Sequence, residues 1–182
     1  WTLDLRSREA GPVGLHAGEP LGPPSWSPDG HSLAAVTRDA QGASALVVVS
    51  LEGGAARRVA EGSFGALAWS PDGRWLAATS AGGTTLIDAQ LGTARRLSAR
   101  GSYENAPLWS SDGRQLELLV DERREPTLVT LGVDGEERGR AALPVQIDPS
   151  FWGTFTVRPL GKERLLVQTR YEGDLYVLDL VR

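Results

Sequence analysis

The sequence predicts an all-β chain of repeated four-stranded antiparallel meanders, about four in number. Three observations predict it. First, Trp26-Ser27-Pro28-Asp29-Gly30 recurs as Trp69-Ser70-Pro71-Asp72-Gly73, with one change as Trp109-Ser110-Ser111-Asp112-Gly113, and in eroded form as Val157-Arg158-Pro159-Leu160-Gly161. Second, the motif glycines stand 43, 40 and 48 residues apart, beyond the roughly 34 residues of helical-hairpin repeats. Third, runs rich in Val, Leu, Thr and Trp alternate with clusters of Gly, Pro, Asp and Ser, and no segment carries a helical period.

Each element follows from its residues. Trp1 to Leu5 reads as the third strand of a partial unit, by comparison with Tyr176-Val177-Leu178-Asp179-Leu180, and residues around Pro12 to His16 as its fourth. In every later unit the motif makes the first turn. Pro presets the first corner, Asp suits the second because its carboxylate bonds nearby N–H groups, and Gly accepts the left-handed conformation that leads into the next strand. The Trp before the turn offers a large apolar plate to a neighbouring sheet. A second strand follows each motif, at Leu33 to Thr37, Leu76 to Ser80, Leu116 to Val120 and Leu165 to Gln168. A third comes at Ala45 to Ser50, Thr85 to Asp88, Thr127 to Leu131 and Asp174 to Leu180. A turn and a short Arg-bearing strand close the unit. One such unit cannot bury both of its faces, so units must stack, and stacking in a ring makes a β-propeller.

The blades then run 1–16 (partial), 23–60, 65–98, 106–143 and 153–182 (partial), seventeen strands in one domain. Both ends supply a third strand. The arrangement expected first is therefore an arc of a larger propeller. A ring completed by another chain comes second, and closure with four blades third. Trp1 at the start and the absence of Met point to a processed or trimmed chain, or to part of a longer one.

The Trp-Ser-Pro-Asp-Gly units resemble the repeat of the TolB-like propeller family, and the resemblance covers nearly the whole chain. It implies structural roles for Trp26, Asp29, Gly30, Trp69, Asp72, Gly73, Trp109, Asp112 and Gly113. It also implies a periplasmic or other extracytoplasmic location in bacteria, often in a membrane-bound assembly. The same family includes gating propellers of prolyl oligopeptidase-like enzymes and sensor propellers of kinases or transcription regulators, so the motif does not choose among these roles.

Composition narrows the choice. The chain has 182 residues and a net charge of −4, which argues against nucleic acid or an anionic lipid surface as partner, since both call for a basic face. No apolar run approaches the roughly 20 residues of a membrane span. With no cysteine, disulfides, thiolate metal sites and Cys nucleophiles are excluded. No Gly-x-Ser-x-Gly elbow supplies a serine nucleophile. The two histidines, His16 and His31, have no ligand pattern around them, and no Asp-rich calcium loop occurs. Ala81-Gly82-Gly83-Thr84 lacks the lysine and the helix of a phosphate loop. No catalytic, metal or cofactor residue is expected.

What remains is recognition of a protein partner. Arg57-Arg58 and Arg95-Arg96 occupy the same blade position, nearly matched by Arg138 and Arg140. Neighbours in a strand point to opposite faces, so a pair cannot form one clamp. The plain reading is a charged outer edge that resists aggregation. The sharper reading is a cationic stripe on the rim for an acidic partner. Phe151, Trp152 and Phe155 cluster in the least repetitive segment, either as packing for the last blade or as an aromatic anchor. The function expected is a non-enzymatic protein-interaction or scaffold propeller.

Overall fold

The computed structural model describes residues 2–3, 6–11, 18–53, 55–98, 107–122, 125–142, 155–159, 164–169 and 175–179. Eighteen strands and no helix occupy them, in five antiparallel sheets that follow chain order. A partial sheet pairs β1 (Thr2–Leu3) with β2 (Ala10–Gly11). The first complete sheet contains β3 (Glu19–Pro20), β4 (Ser25–Trp26), β5 (Ser32–Arg38), β6 (Ser44–Ser50) and β7 (Arg57–Glu61). The second contains β8 (Leu67–Trp69), β9 (Trp75–Ser80), β10 (Gly83–Asp88) and β11 (Ala94–Ser98). The third contains β12 (Leu108–Trp109), β13 (Gln115–Glu122), β14 (Glu125–Gly132) and β15 (Glu137–Ala142). A last sheet holds β16 (Phe155–Pro159), β17 (Arg164–Thr169) and β18 (Leu175–Asp179).

Two elements differ from the sequence reading. The first strand of the first complete sheet is broken in two, and the sheet starts at Glu19 rather than at residue 23. Both β3 and β4 pair with β5, through Glu19↔Arg38 and Trp26↔Leu33. Gly22-Pro23-Pro24 lies between them, and proline has no N–H for the ladder. This break accounts for the eighteenth strand. The partner of β1 is Ala10–Gly11, earlier than the expected Pro12 to His16, with Leu3 opposite Ala10. Pro12 cannot donate to β1, and residues 12–17, with His16, lie outside the described residues, as does Trp1.

Alternation along the strands places one core at each junction between complete sheets. Leu76, Ala78 and Ile87 of the second sheet meet Ala34, Val36 and Leu46 of the first. Their neighbours Ala77 and Leu86 point the other way, to Leu116, Leu118 and Val129 of the third. Leu76, Leu86 and Ile87 are fully buried, each contributing about 1.5–3 kcal/mol of transfer free energy. A middle sheet apolar on both faces must be sandwiched, and β9 and β10 carry apolar residues at successive positions, Leu76-Ala77-Ala78 and Leu86-Ile87.

Candidate interaction surface

The motif turns are built alike. The Gly30 N–H donates to the Ser27 carbonyl at 2.9 Å, and Gly73–Ser70 and Gly113–Ser110 repeat the bond at 2.9 Å. The three glycines have φ of +75°, +70° and +68°, where a side chain would be strained. Asp29 accepts from the Ser27 hydroxyl at 2.6 Å and from the His31 N–H at 2.9 Å. Asp72 does so from Ser70 at 2.5 Å and Arg74 at 3.0 Å, and Asp112 from Ser110 at 2.6 Å and Arg114 at 3.0 Å. The same hydroxyls accept the N–H of Ser32, Trp75 and Gln115, at 2.9, 2.8 and 3.0 Å. The serine is thus the hub of the turn, and this explains why Ser111 can replace proline in the third motif without loss of the turn. The serine hydrogen bond, and after it the backbone N–H, holds all three carboxyls below the ordinary aspartate value of 3.8. The aspartates are therefore committed to backbone geometry.

Between sheets, side chains of one reach backbone carbonyls of the other. The Trp69 indole N–H donates to the Ser25 carbonyl at 3.1 Å, and that of Trp109 to the Ala68 carbonyl at 3.1 Å. In both cases the acceptor immediately precedes the motif tryptophan of the preceding sheet. At the outer strands the direction reverses. Arg57 donates to the carbonyls of Ala89 and, at 3.1 Å, Gln90, and Arg95 donates to the carbonyl of Val133. Ala89 and Val133 are equivalent, since each N–H bonds the carbonyl of the residue after the motif glycine, Arg74 or Arg114.

The Arg pairs therefore divide their work. Arg57 and Arg95 staple a sheet to the next one, whereas the contacts of Arg58 and the Arg96 bond to Gly82 lie within one sheet. Arg58 faces Asp39 at 3.7 Å and Glu61 at 3.6 Å, and Arg96 donates to the Gly82 carbonyl. Arg138 is held by Asp134 and Glu136, and Arg140 by Glu137 at 2.8 Å. Sequence reasoning missed the staples because the carbonyls they meet are 32 to 38 residues away, and any residue can supply them. Phe151 and Trp152 lie outside the described residues, and Phe155 opens β16.

The apolar-plate expectation holds for two of the three tryptophans. Trp69 and Trp109 are half-buried against the two cores, while Trp26 is 52% exposed. The local sequence is the same, so what differs is the neighbour. His31 and Glu52 form an exposed pair at 3.0 Å. Among the described residues, no group of three or more His, Asp or Glu is placed to hold a metal ion. Leu91 is 74% exposed at the tip of the β10–β11 turn, which for a single residue is ordinary.

No protein-family model and no curated protein matches the chain. Solved structures do. The chain is similar to TolB from Acinetobacter baumannii, at 19% identity and a TM-score of 0.62, over 90% of this chain and 44% of that one. It is similar to the β-propeller domain of the Trilobed protease from Pyrococcus furiosus, at 14% identity and a TM-score of 0.60, over 87% of this chain and 54% of that one. The β-propeller domain of Cps50 (Swd1) from Myceliophteria thermophila matches at 21% identity and a TM-score of 0.59, over 89% of this chain and 52% of that one. The all-β sheets are blades of a β-propeller. The chain spans about half the length of these solved propellers, whose roles differ.

Proposed function

We propose that the chain is a non-enzymatic protein-interaction propeller, an extracytoplasmic or extrinsic subunit of a bacterial assembly that is attached to a membrane. The observation that carries this reading is where the polar side chains are used. The motif Ser and Asp, the half-buried Trp and the first Arg of each pair all serve the frame. The result is a rigid stack whose variable parts are turns on two rims, which suits shape recognition. The likeness to TolB supports an extracytoplasmic location. Arg58, 47% exposed beside Asp39 and Glu61, and Arg96, its counterpart in blade position, are the rim cations an acidic partner would meet first.

The test is affinity capture from native membranes with wild-type protein and with the Arg58→Glu/Arg96→Glu variant. One stoichiometric partner, lost with the double variant, is the expected result. Equal capture by both proteins, or no saturable partner, overturns the reading. A second reading, the gating propeller of a peptidase, is favoured by the likeness to the Trilobed protease propeller. It requires an α/β-hydrolase segment in the same polypeptide, and peptide hydrolysis by the natural protein would decide for it.

A further inference from the structure

The two complete junctions share a pair of contacts at their inner end. One is the bond from a motif tryptophan to the carbonyl before the preceding motif tryptophan, at 3.1 Å in both junctions. The other is the seat of the motif glycine. A methyl group on Gly73 would lie 3.8 Å from Pro28 of the sheet before it, and one on Gly113 would lie 3.6 Å from Pro71. Each blade thus recognises a carbonyl and a proline turn on its predecessor.

The first complete blade carries the same recognising groups with no counterpart opposite them among the described residues. The Trp26 indole is 52% exposed, and its N–H has no partner among the described residues. Around Gly30 nothing among the described residues lies within 4 Å. The rest of that face is interior: Leu33, opposite Trp26, is 3% exposed, and Ala35, Val47 and Val49 on the same side are each 1% exposed. Among the described residues, no inner strand of a preceding blade stands against Trp26 and Gly30.

We propose that the Trp26 face is the receiving half of a further blade junction. Its occupant is the inner strand pair of a blade whose outer pair is β1–β2, supplied by polypeptide on the N-terminal side of Trp1. Three observations select this occupant. Leu3 opposite Ala10 and Thr2 opposite Gly11 match Ile87 opposite Ala94 and Leu86 opposite Arg95, so β1 and β2 hold the third and fourth positions of a blade. In the complete blades the third strand pairs with a second strand on its other side, as β10 does with β9, whereas β1 pairs only with β2 among the described residues. The solved propellers it resembles are about twice as long, 44–54% of each being spanned. The occupant must present a backbone carbonyl to Trp26 and a Pro-containing turn to Gly30. The inference does not depend on what the propeller binds.

The absence of cysteine makes the test direct. Trp26→Cys places a single thiol on the face, and its reaction with dithionitrobenzoate is timed in the 182-residue chain and in the natural polypeptide extended upstream by one repeat. The expected result is on the order of a hundredfold slower reaction in the extended protein, the protection given by a cooperatively folded unit. Trp69→Cys should react slowly in both. Solvent exchange of the Trp26 indole N–H, measured without any substitution, should slow in parallel. Equal rates in the two proteins overturn the proposal, as does a natural polypeptide without an upstream repeat. Protection in the 182-residue chain that rises with concentration also overturns it, and assigns the face to a second copy.

Discussion

Replacing Trp69 by Phe removes one interblade hydrogen bond and part of one ring, and leaves the motif turn untouched. The bond to the Ser25 carbonyl is 3.1 Å long and joins half-buried groups. A neutral N–H···O bond in such a place is worth about 1 kcal/mol net. Trimming indole to phenyl gives up packing against the first junction core equivalent to one or two methylenes, roughly 1 kcal/mol. The expected loss is about 2 kcal/mol, or roughly 4–8 °C in Tm for a chain of this size. Trp109→Phe should cost the same within about 0.5 kcal/mol, since its bond to the Ala68 carbonyl is equivalent. Trp26→Phe in this chain should change stability by no more than about 0.5 kcal/mol, as surface substitutions do. Urea unfolding followed by far-ultraviolet circular dichroism measures all three. Equal losses for Trp26→Phe and Trp69→Phe would refute the reasoning, because the two residues share a motif position and differ only in having a partner.

Four other outcomes follow from the same contacts. Arg57→Ala and Arg95→Ala should each cost about 1 kcal/mol in urea unfolding, since charge-assisted bonds to carbonyls are lost at partly solvated sites, while Arg58→Ala should stay within about 0.5 kcal/mol. Thr84→Val should be neutral or stabilise by about 1 kcal/mol in the same assay, because the Thr84 hydroxyl is buried with no partner among the described residues. Acid titration should show opposite effects from the two kinds of carboxyl. The lowered pKa of Asp72, set first by Ser70 and then by the Arg74 N–H, contributes stability that is present above 3.8 and lost as the pH falls through its folded value, so Asp72→Asn should flatten the acid limb. Glu117, raised above 4.5 by burial, keeps its proton better when folded, so its effect on stability worsens as pH rises through that range, and Glu117→Gln should stabilise at neutral pH. Amide exchange should be faster in β17 than in β9, since the last blade carries Val157 where the others carry a motif tryptophan.

The repeat was legible because it is local. Ser-Pro-Asp-Gly specifies its own turn, and the β9 and β10 runs show both faces buried by being apolar at successive positions. The blade count and the order of strands follow from that much. The junction chemistry was not legible, because one half of every interblade bond is a main-chain carbonyl and leaves no mark on the sequence. Arg57 and Arg58 look alike as neighbours, and only the position of the Ala89 carbonyl makes one a staple. Trp26 and Trp69 look alike for the same reason. Glu117 was readable only by comparison: its strand position holds Ala34 and Ala77 in the two preceding blades, both fully buried, so a carboxyl there is partly desolvated.

Donors on side chains and acceptors on the backbone give each junction a direction and make it tolerant of sequence change on the acceptor side. They also predict where the stack should be weakest. The last blade begins its motif with Val157 in the place of Trp69 and Trp109, and a valine side chain carries no N–H like that of an indole. On the third blade the strand position of Arg95, opposite Leu86, is taken by Gly139, opposite Thr130. Arg138 and Arg140 nearby are engaged by Asp134, Glu136 and Glu137 of their own sheet. The strand positions of the Trp69 indole and the Arg95 guanidinium therefore hold Val157 and Gly139 at the final junction. Without those two donors, local opening should begin there at a free energy below that of the middle blade. Hydrogen exchange resolved to single strands tests this: protection in Arg164–Thr169 equal to that in Trp75–Ser80 would mean that the Trp and Arg staples are not what joins one blade to the next.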